Sequence, residues 1–459
     1  MRSLEQPGVD ALRDRSRARL NMPPIVFGQA VSLFGDYIAY VTLPLLVLSI
    51  TGRPEDLGLV AAAETLPLLL FGLVAGVVLD RYAIRRILIL SDALRAALFF
   101  GLAVLVAVRD IQVWVVFAVA FLVGSLSLVF DSGLQALLPA LTGDSYLVDI
   151  NSKLSLARTL AWSIGPAIGG VLVASSGGFT LAFVVNGATF VVSAAFLLRV
   201  RELRPVERAR HTNIGQQLRR GIRFLFREPH LRWATLGAAM ANLVFAPLEA
   251  LLVLFVAERV TVAVTLPSAI GWLFRDQAQV GLFIALQAAL GSVGVMLAPR
   301  VAARWSLGRM YIAGLALLGV GFGAVALFSS FWSVIPAAVA VAGVAWVNIA
   351  FVTMRQRLTP SFLLGRVTTA ARTIALLPIP VAAAFGGYLA AEYGLISVYF
   401  TGSILALAGT ALLMLTPLWR CPVGDVEEPA WSSSRRESLQ PTDAAPTRRD
   451  NGPESDPTA

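Results

Sequence analysis

Apolar residues gather along this chain in twelve long runs, at 25–49, 57–79, 87–108, 113–137, 154–175, 179–198, 233–257, 280–298, 310–328, 331–354, 367–391 and 395–418. Most polar residues fall in the segments between them. Each run comes close to the ~20 apolar residues that carry a helix across ~30 Å of hydrocarbon. None shows the alternating ten-residue pattern of a membrane strand. A bilayer offers backbone groups no water, so such runs close their own hydrogen bonds as helices. The pattern predicts an all-α membrane protein with twelve transmembrane helices.

Two blocks of six runs, 25–198 and 233–419, flank a hydrophilic segment at 199–232 that carries ten arginines. Within it Ile214, Leu218, Ile222 and Leu225 recur at helical spacing, while Arg219, Arg220, Arg223 and Arg227 cover other faces. This is the pattern of an amphipathic helix lying on the inner leaflet; a solvated basic linker is the plainer alternative. Residues 1–24 read as a charged tail. The apolar run behind them spans a bilayer, whereas a signal peptide's has only ~7–15 residues. Residues 420–459, rich in Pro, Ser, Thr and charge, are expected to form a disordered tail.

Charge placement orients the chain. When the connecting segments are numbered alternately, 30 of the 37 Lys and Arg fall on the side that includes both termini. Four (Arg53, Arg109, Arg259 and Arg275) fall on the other, and Arg95, Arg158 and Arg372 lie inside the runs. Cytoplasmic loops carry the Lys/Arg excess, so both ends are expected inside, with the protein in the plasma membrane. The net charge of +9 sits in short loops beside the spans, where it faces anionic lipid rather than nucleic acid. With 57% hydrophobic residues and a mean hydropathy of +0.75 the chain is too apolar for a soluble enzyme of its length. One cysteine, Cys421, excludes an internal disulfide and a cysteine metal cluster.

The halves repeat each other. Ala157-Arg158-Thr159-Leu160-Ala161 opens the fifth run and Ala371-Arg372-Thr373-Ile374-Ala375 the eleventh, an offset of 214. Each arginine is followed eight residues later by a proline, Pro166 or Pro380, and then by a glycine pair, Gly169-Gly170 or Gly386-Gly387. Gly76 before Asp80-Arg81 has a degraded counterpart in Gly294 before Pro299-Arg300, an offset of 218. Two similar offsets point to a duplicated six-helix unit, an architecture of transporters with the site between the halves near the midplane. In the segment Gly76 to Arg86 the glycine permits close helix approach. Asp80 can bind a helix N-terminus, and Arg81, Arg85 and Arg86 can bridge to carboxylates. Pro166 removes a backbone hydrogen bond while Gly165, Gly169 and Gly170 allow tight packing, which suits a pivot between halves as well as an ordinary packing face.

These motifs resemble those of the major facilitator superfamily, whose signature between helices two and three is Gly-x-x-x-Asp-Arg-x-Gly-Arg-Arg. Gly76, Asp80 and Arg81 match it. Ala83 replaces the later glycine, and Arg85-Arg86 come one position late. Leu90-Ser91-Asp92-Ala93-Leu94-Arg95, Gly165-Pro166-Ala167-Ile168-Gly169-Gly170 and Arg355-Gln356-Arg357-Leu358-Thr359-Pro360 are similar to the drug:proton antiporter branch that includes macrolide and enterobactin exporters. The resemblance covers about residues 25–418. It implies two pseudo-symmetric six-helix bundles, and the motif of the fifth run is associated with export.

Carboxylates inside hydrocarbon are costly and are functional candidates by default. Asp36, Glu64, Asp131 and Glu249 qualify, and Asn186 and Asn242 add hydrogen-bonding capacity to a cavity. His211 and His230 lie in the central hydrophilic segment, so proton exchange falls to carboxylates, Asp36 first, with a structural pairing of Asp36 to a neighbouring polar group as the alternative. Asp131, near the level of Arg158, is expected to pair with it at an inner gate, with Arg372 reaching across to Asp80 and Arg81. Asp92 and Arg95, three apart on one helix, neutralise each other. No phosphate-binding glycine loop followed by lysine is present, nor metal-ligand spacing, nor a catalytic constellation. The expected function is proton-coupled efflux of an apolar or amphipathic small molecule by a cofactor-free monomer. A nutrient importer of the same fold and a non-transporting membrane sensor are the alternatives.

Overall fold

The computed structural model describes residues 7–81, 83–142, 144–176, 178–200, 214–260, 276–328 and 330–421. The described residues are nearly all helical. The first six helices are α1 (Pro7–Thr51), α2 (Pro54–Arg81), α3 (Ile84–Ala107), α4 (Val113–Thr142), α5 (Asp144–Ser176) and α6 (Thr180–Arg199). After the helix α7 (Ile214–Arg227) come α8 (Pro229–Ala250), α9 (Leu252–Arg259), α10 (Asp276–Arg304), α11 (Leu307–Leu327), α12 (Val334–Leu358), α13 (Ser361–Leu376), α14 (Ile379–Tyr393) and α15 (Leu395–Met414). Ten helical stretches are long and apolar enough to cross a membrane, and α8 with α9 makes an eleventh. Helix α2, of 28 residues, occupies the place of the second apolar run.

Helices α1–α6 form one bundle, in which α1 packs on α5 and α6, α3 on α6, and α2 on α4. The remaining six spans form the other, where α11 packs on α12 and α15, and α10 on α12. Burial of Phe99, Phe183 and Phe190 in the first bundle, and of Phe283, Phe322, Tyr311 and Tyr399 in the second, fills the interiors. Gly52 and Gly394, at φ 64° and 81°, make the turns after α1 and after α14, a region that side chains with a Cβ avoid.

Three features depart from the apolar pattern. Helix α1 begins at Pro7 rather than near residue 25, because the preceding Arg, Ala and Leu are good helix formers. Helices α8 and α9 meet at a bend of 43° at Leu251, four residues after Pro247. Pro247 frees the Leu243 carbonyl one turn back, while Leu251 still donates to the Pro247 carbonyl at 3.1 Å, so the proline alone does not account for the bend. The eleventh span is likewise broken between α13 and α14, where Pro378 and Pro380 each lack an N–H. Its counterpart α5 has Pro166 alone and stays continuous.

The amphipathic helix expected in the 199–232 segment is present as α7, with one face on protein. Leu225 is buried in the core, and Gly221 meets the backbone of Arg366 and Val367 on α13. Arg219, Arg220, Arg223 and Arg227 are exposed. After α15 a single turn, Pro417–Arg420, carries Leu418 and Cys421 into the base of the second bundle. The Ser306 hydroxyl there donates to the Trp419 carbonyl at 3.1 Å, and the Leu418 carbonyl lies against Gly308.

Candidate functional site

Two helix crossings join the bundles, and the repeated glycine pairs make both. In α5, Gly169 receives Ile38 of α1 within its own bundle, while Gly170 faces Gln277 and Gly281 of α10 in the other. In α14, Gly386 receives the Pro247 ring of the bent α8, while Gly387 faces Pro54 and Glu55 of α2 across the interface. Within each pair, then, the first glycine packs inside its bundle and the second packs between bundles. A Cβ on Gly170 would lie 3.0 Å from the Gly281 Cα, and one on Gly387 would lie 2.8 Å from the Pro54 carbonyl oxygen. Gly58 of α2 completes the second crossing against Ala383 and Gly387. Both crossings sit at the end of the molecule that carries the α1–α2, α5–α6 and α14–α15 connections.

Beside these crossings a cavity of about 320 Å³ lies between the bundles. Leu43, Pro44, Leu57, Val60 and Phe245 give it an apolar wall, and Tyr40, Glu64, Asn242 and Glu249 give it polarity. The Tyr40 hydroxyl of α1 donates to the Glu249 carboxylate of α8, a hydrogen bond that spans the two bundles. The second oxygen of Glu249 is buried with no partner. Asn242 donates to the Ala375 carbonyl at 2.9 Å, in the last turns of α13 ahead of the broken segment. It also lines a second cavity of about 430 Å³ with Asn348, Arg355 and Arg372.

A second polar cluster lies within the first bundle. Arg95 is 2% exposed, pairs with the fully buried Asp92 on its own helix, and donates to the Ser127 hydroxyl of α4 at 3.3 Å. Its guanidinium stands 4.6 Å from the Phe130 ring and 4.3 Å from the Phe190 ring. Arg95 also reaches Asp36 of α1, at 3.8 Å. The pairing of Asp92 with Arg95 is therefore as expected, but the arginine has a further partner one helix away. Asn186 lies buried on α6, where Gly35 of α1 packs against it and against Thr189. It belongs to this helix contact rather than to the wall of either cavity.

The gate residues are more dispersed. The side chains of Gly76, Asp80 and Arg81 lie outside the described residues. Arg85 donates to the carbonyls of Leu197 and Leu198, at 3.0 and 2.6 Å, and so caps the end of α6; Arg86 is exposed. Asp131 and Arg158 are exposed. Gly165 and Pro166 are buried in α5, with Gly165 against Tyr37. Arg372 is exposed beside Arg355 at the second cavity. Tyr40 and Arg355 have no place among the expected site residues. Tyr40 lies one helical turn after Asp36 on the same face of α1, a spacing visible in the sequence.

The sequence model of the family described as Major Facilitator Superfamily matches residues 25–274. The chain is similar to a protein named multidrug efflux pump Tap from Mycolicibacterium fortuitum, at 27% identity over 406 residues, covering 86% of this chain and 95% of that one. It is similar to a putative bacilysin exporter, BacE, of Bacillus subtilis at 26% identity over 204 residues, 44% of this chain and 50% of the relative. Among solved structures, a bacterial homologue of the human lysosomal transporter Spinster, inward-facing and occupied, superposes with a TM-score of 0.69 at 14% identity, covering 89% of this chain and 98% of that one.

Proposed function

The chain belongs to the Major Facilitator Superfamily, and on that premise we propose that it is a secondary active exporter of small amphipathic molecules. The observation that carries this reading is the cavity between the bundles, apolar over most of its wall and placed beside the glycine crossings. The relatives named as an efflux pump and an exporter support export. The Lys/Arg excess supports a cytoplasmic placement of both termini, and hence of the 199–232 segment and the 420–459 tail. On that orientation the joined end faces outward. A compound would enter from the cytoplasm or inner leaflet, and protonation from outside would favour its release.

Glu64 and Glu249 bear on the substrate. Among the described residues no lysine or arginine lines their cavity, and an ionised carboxylate in such surroundings needs a compensating charge. A lipophilic compound with one positive charge supplies it, with its body on Phe245 and Val60. Glu249→Gln should raise KM for such a cation about tenfold, equal to ~1.4 kcal/mol, while a neutral compound of similar size changes less than about twofold. Equal effects on both compounds would remove Glu249 from substrate recognition.

Asp36, partly open and beside Arg95, is the carrier of the coupling proton in this reading, and the protein works as a monomer. The test is accumulation of a panel of compounds in everted membrane vesicles, with and without a protonophore. Wild-type vesicles should concentrate a cationic substrate and lose it when the proton gradient collapses. Asp36→Asn should cut gradient-driven accumulation about tenfold while leaving downhill movement, since only coupling is lost. Accumulation in right-side-out vesicles instead would make the protein an importer, and binding without movement either way would make it a sensor.

A further inference from the structure

The Arg95 cluster holds two carboxylates and one guanidinium, so one negative charge is left over when all three are ionised. The surroundings decide which carboxylate carries it. Asp92 is sealed at 0% exposure and bonded directly to Arg95, whereas Asp36 is 37% exposed and stands 3.8 Å away. Hydrogen-bonded guanidinium–carboxylate pairs close to about 2.7–2.9 Å. Asp36 is thus within ion-pair reach of the guanidinium but outside hydrogen-bonding distance. Arg95 cannot retreat from it, because Phe130 and Phe190 flank its guanidinium and Asp92 anchors it. The distance is set by α1, whose position depends on Gly35 against Asn186 and Thr189 of α6 and on Gly165 of α5 against Tyr37.

We propose that Arg95 is the positioning residue of the coupling site: a fixed cation, neutralised by Asp92, toward which α1 carries Asp36 to release its proton and from which α1 withdraws Asp36 to take one up. This rests on the reading that Asp36 carries the coupling proton. One orphaned atom fits a cluster with bonding capacity in reserve. Among the described residues Arg95 Nε is buried without a hydrogen-bond partner, and the second Asp92 oxygen faces the Ser193 hydroxyl of α6. The other charged groups that act on Asp36 are Asp131 of α4 and Glu64 of α2, both of its own sign, and Arg158 of α5 acts on the neighbouring Tyr37. Among the described residues, Arg95 alone lies within ion-pair distance of Asp36. A change in the distance between α1 and α3 therefore becomes a change in proton affinity, which is what coupling requires.

The test compares the pH midpoint of substrate exchange, with equal pH on both sides, in proteoliposomes holding wild type, Asp36→Asn, the double variant Asp92→Asn with Arg95→Gln, and Arg95→Lys. The double variant removes an opposite-charge pair together, so it leaves no buried charge uncompensated. It should fold, as a monodisperse elution profile checks, and its midpoint should move up to about one unit toward higher pH, because Asp36 loses its nearest cation, an effect that the simultaneous loss of the Asp92 charge reduces without cancelling. Arg95→Lys, which keeps the charge, should hold the wild-type midpoint, and Asp36→Asn should abolish the titration. A purely structural role for Arg95 predicts a lower rate at an unchanged midpoint. If Asp36→Asn abolishes the titration while the double variant keeps the wild-type midpoint, the inference about Arg95 is overturned and the Asp36 reading stands. If Asp36→Asn keeps the wild-type midpoint, both are overturned.

Discussion

Arg95→Met is expected to destabilise the protein by about 3–5 kcal/mol, the cost of removing one partner from a buried ion pair. Methionine keeps an unbranched side chain beside Phe130 and Phe190, and sulfur packs well against aromatic rings, so lost packing is the smaller part of the cost. The cause is Asp92, which has 0% exposure and would be left ionised without its cation or forced to take a proton. Thermal unfolding of the purified protein in detergent should show the loss as a lowered midpoint, and little of the variant should reach the membrane. Adding Asp92→Asn should recover most of the stability, because the charge left behind is then gone. A single variant as stable as wild type would mean that Asp92 is not ionised there and that the pair contributes little.

Gly170→Leu should abolish transport while leaving each bundle folded. At this glycine the neighbours are backbone, with the Gln277 carbonyl and the Gly281 Cα inside the space of a Cβ, and backbone cannot swing aside as a side chain does. The bundles would be wedged apart at the end where they meet, and the conformation that depends on that contact would be lost. Gly387→Leu at the other crossing should act alike, since Pro54 and Glu55 press on it in the same manner. Gly72, whose Cβ would meet only Leu68 among the described residues, at 3.9 Å, is the control that tolerates alanine. Cross-linking of cysteine pairs placed across each crossing reads the separation directly. Undiminished cross-linking in Gly170→Leu would show that the contact opens without cost.

The spans were legible because hydrocarbon imposes one strong rule, and each run of apolar residues obeys it. The breaks were partly legible. Pro247 and Pro378 announce weak points, yet Pro166 and Pro44 lie inside continuous helices, so proline alone does not decide. Its surroundings do, as where the Pro247 ring finds room against Gly386. The glycine pairs were visible as repeats, but which glycine faces its own bundle and which the other depends on packing that no spacing encodes. In the polar cluster, Asp92 three residues from Arg95 accounted for the charge so completely that Asp36, 59 positions away from Arg95, had no reason to enter. Long-range pairing of this kind is read from the fold, since a local partner masks it.

Cys421 is the chain's one thiol, 2% exposed at the foot of the second bundle. Burial pushes it up to about 11, with Glu228 adding to the effect and Arg357 opposing it. At neutral pH only about one part in ten thousand is then thiolate, the form that reacts with maleimides and disulfides. The native protein therefore offers a chemically silent background. Spectroscopic probes, spin labels and fluorophores introduced at new cysteines would report on their own sites alone, without first removing a native residue.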